Sequence, residues 1–74
     1  MEKKDVFTEM ANKWPSAIVA RQEVDKFSGG VISGKYLANL DCQGLGPSRV
    51  VIGRKIGYPV NALIEWLRDR SERR

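Results

Sequence analysis

Arg49-Val-Val-Ile-Gly-Arg-Lys-Ile-Gly-Tyr-Pro59, followed at once by Val60-Asn-Ala-Leu-Ile-Glu-Trp-Leu67, is the stretch on which the fold turns. Two short β-prone runs, Arg49–Ile52 and Ile56–Tyr58, flank Gly53-Arg54-Lys55. Side chains branched at Cβ favour a pleated surface and a glycine at the tip reverses the chain, so the segment predicts a hairpin with a basic tip. Pro59 closes the second run and suits the first turn of a helix. Val60, Leu63, Ile64 and Leu67 then recur at i, i+3, i+4 and i+7, the apolar stripe of an amphipathic helix.

Toward the N-terminus, Gly44-Leu-Gly-Pro47 ends a helix predicted over Gly34 to Gln43, with Leu37 and Leu40 turned inward. Ser33 stands where a hydroxyl accepts a hydrogen bond from an amide of that helix's first turn. Before it, Ser28-Gly-Gly30 ends a shorter helix that begins near Ala20, with Glu23 in its first turn and Val24 and Phe27 on one face. Val31 and Ile32 are expected as buried turn residues, so the segment reads as helix, glycine turn, helix. Val6, Phe7, Met10, Ala11 and Trp14 fall at roughly helical spacing before Pro15, which predicts a short helix or an irregular arm, either a lid over the core or a partner-binding anchor. The expected fold class is mainly α with a small β-hairpin. Residues 1–16 would form the N-terminal arm or short helix, 17–70 the domain, and 71–74 a basic C-terminal tail.

The chain has 74 residues, a formal charge of +4, one cysteine and no histidine. There is room for one small domain, with no internal repeat and no linker long enough to divide it. Hydrophobic residues at 42% and charged ones at 30% are enough for a globular core and too apolar for a disordered tail. Cys42 alone makes no intramolecular bridge, and without histidine the common zinc sets are missing, so no metal and no cofactor are expected. Met1-Glu-Lys-Lys-Asp5 is charged and no long apolar run follows, which predicts a cytoplasmic chain with no membrane segment. Nothing in the sequence places a nucleophile beside a base, a carboxylate pair in a cleft or a lysine in a phosphate loop, so enzymatic function is not expected. Cys42 has no histidine to activate it and reads as structural or tolerated. A pI near 9.6 favours an anionic partner, nucleic acid first.

On the predicted Gly34–Gln43 helix, the 100° step puts Lys35, Asn39 and Cys42 outward, Ala38 and Gln43 beside them, and Asp41 at the inner edge. A slim polar face of this kind enters a DNA major groove, where Asn or Gln can bond adenine and Lys reaches guanine or phosphate. An ordinary solvated face has the same composition. The hairpin adds Arg54 and Lys55 at its tip and Arg49 at its base. From Lys35 to Tyr58, four cations (Lys35, Arg49, Arg54, Lys55) stand against one acid, Asp41, a local charge of +3. Lys26 and the C-terminal arginines are further candidates for phosphate contacts. A protein-interaction module built on an exposed patch of Phe7, Trp14 and Trp66 is the alternative from a different class. RNA binding is disfavoured, because Tyr58 is the lone aromatic of the hairpin and single-strand stacking uses a platform of them.

Ala20-Arg-Gln-Glu-Val-Asp-Lys-Phe27, Ser33-Gly-Lys-Tyr-Leu-Ala-Asn-Leu40, Gly44 through Pro47, Val51-Ile-Gly-Arg-Lys-Ile-Gly-Tyr-Pro59 and Ala62-Leu-Ile-Glu-Trp-Leu67 together resemble the excisionase and AlpA-like branch of the MerR-type winged-helix superfamily. The likeness covers about residues 18 to 70 and is most specific in the hairpin and last helix. It implies a winged helix-turn-helix that binds double-stranded DNA in a phage or mobile element, as an excisionase assisting an integrase or recombinase or as a small transcriptional regulator. It also implies recognition-helix contacts from Lys35, Tyr36 and Asn39 and wing contacts from Arg54 and Lys55. With Gln43 and Arg49 from the residue reading, these make up the expected DNA-binding set. The chain departs from the family at Ala20, where Ser or Thr is frequent, and at Gly34 or Asn39, where Arg is frequent, so base preference does not transfer. A chain ending at Arg74 is expected to carry no small-molecule effector domain, with cooperativity left to neighbouring copies on DNA or to another protein. Trp66, at the edge of the last helix's stripe, is a candidate for such a contact or packs on the arm or the wing.

Overall fold

The last helix organises the rest. In the computed structural model, which describes residues 5–71, Pro59 at φ −58° leads straight into α4 (Val60–Arg70). Val60, Leu63 and Ile64 of its stripe are buried. They meet Val19, Val24, Phe27, Leu37, Leu40 and Tyr58 in one core.

The hairpin forms as expected, from β2 (Val50–Ile52) and β3 (Lys55–Pro59), with Ile52 opposite Lys55. Lys55 therefore belongs to the strand, and Gly53-Arg54 alone make the turn. Gly53 has φ +62° and Arg54 is not positive, the pattern of a type II′ turn, whose twist matches that of the strands.

The expectation of a mainly α fold with a lone hairpin is corrected by a third strand. β1 (Ile18–Ala20) pairs antiparallel with the other edge of β3, Val19 opposite Tyr58, in the order β1-β3-β2. A two-stranded hairpin would leave the inner edge of β3 with unpaired backbone groups, and β1 satisfies them. The result is a mixed α/β arrangement of four α-helices and a three-stranded antiparallel sheet among the described residues.

After β1 the chain tightens into a 3-10 turn (Arg21–Glu23) and then α2 (Val24–Phe27), with Val24 and Phe27 buried. Ala20 precedes the turn with no side-chain cap. Gly29 and Gly30, at φ +67° and +87°, reverse the chain. Val31, expected to be buried, is instead 82% exposed. The Ser28 hydroxyl both donates to the Ile32 carbonyl at 3.0 Å and accepts from its amide at 3.1 Å, so the loop turns Ile32 toward the core and Val31 away.

Ser33 caps α3 (Gly34–Cys42), accepting from the Tyr36 amide at 3.1 Å. Leu37 and Leu40 are buried as the wheel requires. The helix ends one residue early, with Gln43 as its cap. Gly44 at φ +75° lets the Leu45 amide reach the Leu40 carbonyl at 2.9 Å, a Schellman closure.

The arm is helical: α1 (Val6–Lys13) starts at Asp5, whose carboxylate accepts from the Phe7 amide at 3.2 Å and the Thr8 hydroxyl at 3.0 Å. Phe7, Met10, Ala11 and Trp14 lie half-buried against the core. Trp14 donates its indole N–H to the Ile18 carbonyl at 3.0 Å and meets Phe27 edge-on at 5.5 Å. Arg68 of α4 pairs with Asp5 at 2.6 Å and lies over the Phe7 ring. Trp66 donates to the Leu45 carbonyl at 3.2 Å, so its ring lies by the loop after α3, beneath the Arg70 guanidinium. No helix among the described residues is long and apolar enough to cross a membrane. Residues 72–74 of the expected basic tail lie outside the described residues.

Candidate nucleic-acid interface

Lys35, in the first turn of α3, and Arg54 and Lys55, at the hairpin tip, line one open groove of about 870 Å³. Local sequence explains how they meet. Ser33 and Ala38 are small and keep the groove wall low, and Gly34 brings the start of α3 onto the 3-10 turn. A Cβ at Gly34 would fall 2.2 Å from the Arg21 carbonyl oxygen. Position 34 is therefore closed to any side chain unless the backbone shifts.

All seven expected DNA-contact residues are exposed: Lys35, Tyr36, Asn39, Gln43, Arg49, Arg54 and Lys55. They do not share one surface. Asn39 lies further along α3 and Gln43 caps its end, both beyond the groove. Tyr36 is turned to the other side of α3, into a recess it shares with Ile32, Trp66, Leu67 and Arg70. Arg49 faces Asp41, with Nη1 3.7 Å from Oδ1.

Charge pairing divides the cations. Arg21, Lys26, Arg49 and Arg68 each lie within ion-pair distance of a carboxylate. Among the described residues, Lys35, Arg54 and Lys55 have no such partner, nor do Lys13 at the end of α1 and Arg70, which lies over Trp66; of these five, Lys35, Arg54 and Lys55 stand together on one groove. Arg21, Gln22 and Asp25 also line the groove.

Beneath the groove lies a polar cluster that the sequence reading did not assemble. The Tyr58 hydroxyl donates to Asp41 Oδ2 at 2.9 Å and accepts from Arg21 Nε at 3.0 Å, while Arg21 Nη2 also bonds Asp41 Oδ2. The Tyr58 residue is fully buried and the Asp41 side chain is only 7% exposed. Burial pushes the Tyr58 phenol above its ordinary value; the Arg21 bond works against that and Asp41 adds to it. For Arg21, partial burial disfavours the charge, but the bonds to Tyr58 and Asp41 outweigh it and the guanidinium binds its proton more tightly than usual. A signal was present in the helical wheel. Asp41 falls at the inner edge of α3, and a carboxylate turned inward requires a cation or a donor.

Chemically, the arrangement offers three unpaired cations from two separate elements, with hydrogen-bonding side chains further along the helix. That suits a polyanion wider than a single phosphate group. Comparison with known protein families, with curated proteins and with solved structures finds no match for this chain.

Proposed function

We propose that the chain is a sequence-specific double-stranded DNA-binding protein of winged helix-turn-helix type, with α3 in the major groove and the β2–β3 hairpin alongside as the wing. The observation that carries this reading is the groove on which Lys35, Arg54 and Lys55 stand together without carboxylate partners. An α-helix with its side chains is about 10–12 Å across and the major groove about 12 Å wide, so the exposed face of α3 fits base edges while the tip reaches backbone. Asn39 and Gln43 are the base-reading candidates, Arg54 and Lys55 the phosphate contacts, and Lys35 serves either. Arg49 contributes less, because Asp41 already faces it.

The partner remains duplex DNA whether the protein acts as an excisionase with an integrase or recombinase or as a small regulator of transcription. Neighbouring copies on DNA are a further partner in both cases. Strong bending of the duplex together with a requirement for the recombinase selects excision. The aromatic-patch alternative is weakened by the side chains it needs. Phe7, Trp14 and Trp66 are all partly buried against the core, with both indole N–H groups bonded to backbone carbonyls.

Fluorescence anisotropy on duplex DNA across a salt series tests the proposal, comparing wild type with Lys35→Ala/Asn39→Ala and Arg54→Ala/Lys55→Ala. Each lost phosphate contact should flatten the slope of log affinity against log salt by about 0.9. Each lost base contact should cost roughly 1–3 kcal/mol on a preferred site and nothing on mixed DNA. Binding by both double variants at wild-type strength refutes the DNA reading.

A further inference from the structure

β3 lies between β1 and β2, so the backbone pairing of the sheet ties the hairpin to β1 and not to α3. The link between the two DNA-facing elements is made by side chains instead. Asp41 projects from α3, Tyr58 from β3 and Arg21 from the 3-10 turn, and the three hydroxyl, guanidinium and carboxylate groups bond one another. The loop that leads into β2 reaches the same carboxylate. Arg49 faces Oδ1 at 3.7 Å, and Gly46 crosses so closely that a Cβ there would lie 2.1 Å from that oxygen.

We infer that Asp41, with Tyr58 and Arg21, is a positioning residue that fixes the hairpin relative to α3, so that Lys35 and the Arg54–Lys55 tip act on one ligand. The inference rests on the DNA-binding reading for its functional consequence. Its physical content is separate. Apolar contacts are non-directional and let packed elements slide by fractions of an ångström. A carboxylate oxygen shared by a phenol and a guanidinium has preferred distances and angles, and moving either donor breaks a bond inside a buried site. Two parts of the hairpin segment reach that one side chain, β3 through Tyr58 and the loop before β2 through Arg49.

The test uses the full chain. Nitroxide labels on Cys42, which is exposed on α3, and on an Arg54→Cys substitution at the tip give a helix-to-hairpin distance distribution by pulsed electron resonance. It is measured in the parent and in Tyr58→Phe, which keeps the ring that fills the core, and in Asp41→Asn, which keeps the carboxylate's shape. Leu63→Val, a core substitution on α4 that takes no part in the hydrogen-bonded cluster, supplies a control for general loss of stability.

The expected result is a broadened distribution in Tyr58→Phe and Asp41→Asn, with the Leu63→Val distribution as narrow as the parent's. Equal widths in all four, or equal broadening in the control, overturn the inference. Without the labels, Tyr58→Phe should lower the preference for a selected site over mixed DNA on the order of tenfold, the size of one lost base-pair contact, at an unchanged salt slope. A broadened distribution with site preference intact also overturns it, because the helix-to-hairpin angle would then be irrelevant to binding. A broadened distribution in a protein whose parent binds no DNA leaves the positioning role in place and removes the DNA reading alone.

Discussion

Two grooves of about 870 Å³ each mark this chain, and they differ in what their charges are doing. One lies beside α1, walled by Phe7, Met10, Trp14, Phe27 and Ile32, with Lys26 facing Glu23 and a single unpaired cation, Lys13, at its rim. The other lies between α3 and the hairpin, and its cations Lys35, Arg54 and Lys55 are in ion-pair contact with no carboxylate of the described residues, although Asp25 also lines the groove. Apolar walls are what the docking of a short helix leaves behind. Unpaired cations gathered from two elements repel one another and lower the stability of the free protein, a cost that binding an anion offsets.

The two sides are also tethered differently. The hairpin is tied to α3 through a carboxylate that is only 7% exposed, whereas α1 is tied to α4 through the Asp5–Arg68 pair, whose side chains are 38% and 43% exposed. Buried polar contacts are costly to break and surface pairs contribute little, so the comparison predicts unequal responses to equivalent substitutions.

The largest is Asp41→Ala. It leaves the Tyr58 hydroxyl and the Arg21 guanidinium without their shared acceptor in a buried site, and a loss of about 2–4 kcal/mol follows. Arg21, 28% exposed, finds some water, which keeps the effect from the top of the range for broken buried pairs. Urea unfolding followed by circular dichroism measures it. A loss below about 1 kcal/mol would put Asp41 on the level of a surface pair and break the comparison.

Next is the phenol of Tyr58, whose pKa burial raises above the ordinary 10.0. A group with a raised folded-state value contributes stability that is complete below its unfolded value and fades as pH climbs through the folded one. The thermal midpoint of the wild type should therefore fall on the alkaline side of pH 10, in step with late-appearing phenolate absorbance. Tyr58→Phe should cost about 1 kcal/mol at neutral pH and remove that alkaline fall. An unchanged alkaline limb in Tyr58→Phe means that the phenol is not what the buried side depends on.

How much of this was legible in the sequence follows the same divide. The hairpin, the Ser33 cap and the stripe of α4 are local patterns, readable because turn chemistry and helical spacing act over a few residues. β1 was not readable. Ile18–Ala20 is three residues long, too short for any periodicity, and only the free edge of β3, distant in sequence, makes it a strand. Val31 misled because an apolar residue in a turn looks buried until the Ser28–Ile32 bonds decide which of two neighbours turns inward. Of the candidate site, Lys35, Arg54 and Lys55 were legible as cations on predicted exposed positions, and the structure places them on one groove. Tyr36 entered by resemblance, and its neighbours Trp66 and Arg70 come from a helix whose docking the sequence does not specify. Asp41 could be seen to face inward, but its partners lie 20 residues upstream and 17 downstream, beyond any local rule.

The smallest expected effect lies on the α1 side. The Asp5 carboxyl is held below the ordinary carboxylate value of 3.8, first by its hydrogen bond from Arg68 and further by Thr8 and the Phe7 amide, with desolvation acting in the opposite direction. A lowered folded-state value gives stability that is complete above the unfolded value and is lost as pH falls through the folded one. The docking of α1 should therefore loosen only in acid, below pH 3.8. Tryptophan fluorescence reports this directly, because Trp14 sits between α1 and Phe27. Asp5→Asn should flatten the acid-side change in emission and leave the neutral-pH unfolding curve close to wild type. An Asp5→Asn protein that loses as much stability at neutral pH as Asp41→Ala would show α1 to be held as tightly as the hairpin, and the apolar walls of its groove would no longer mark it as a mere docking seam.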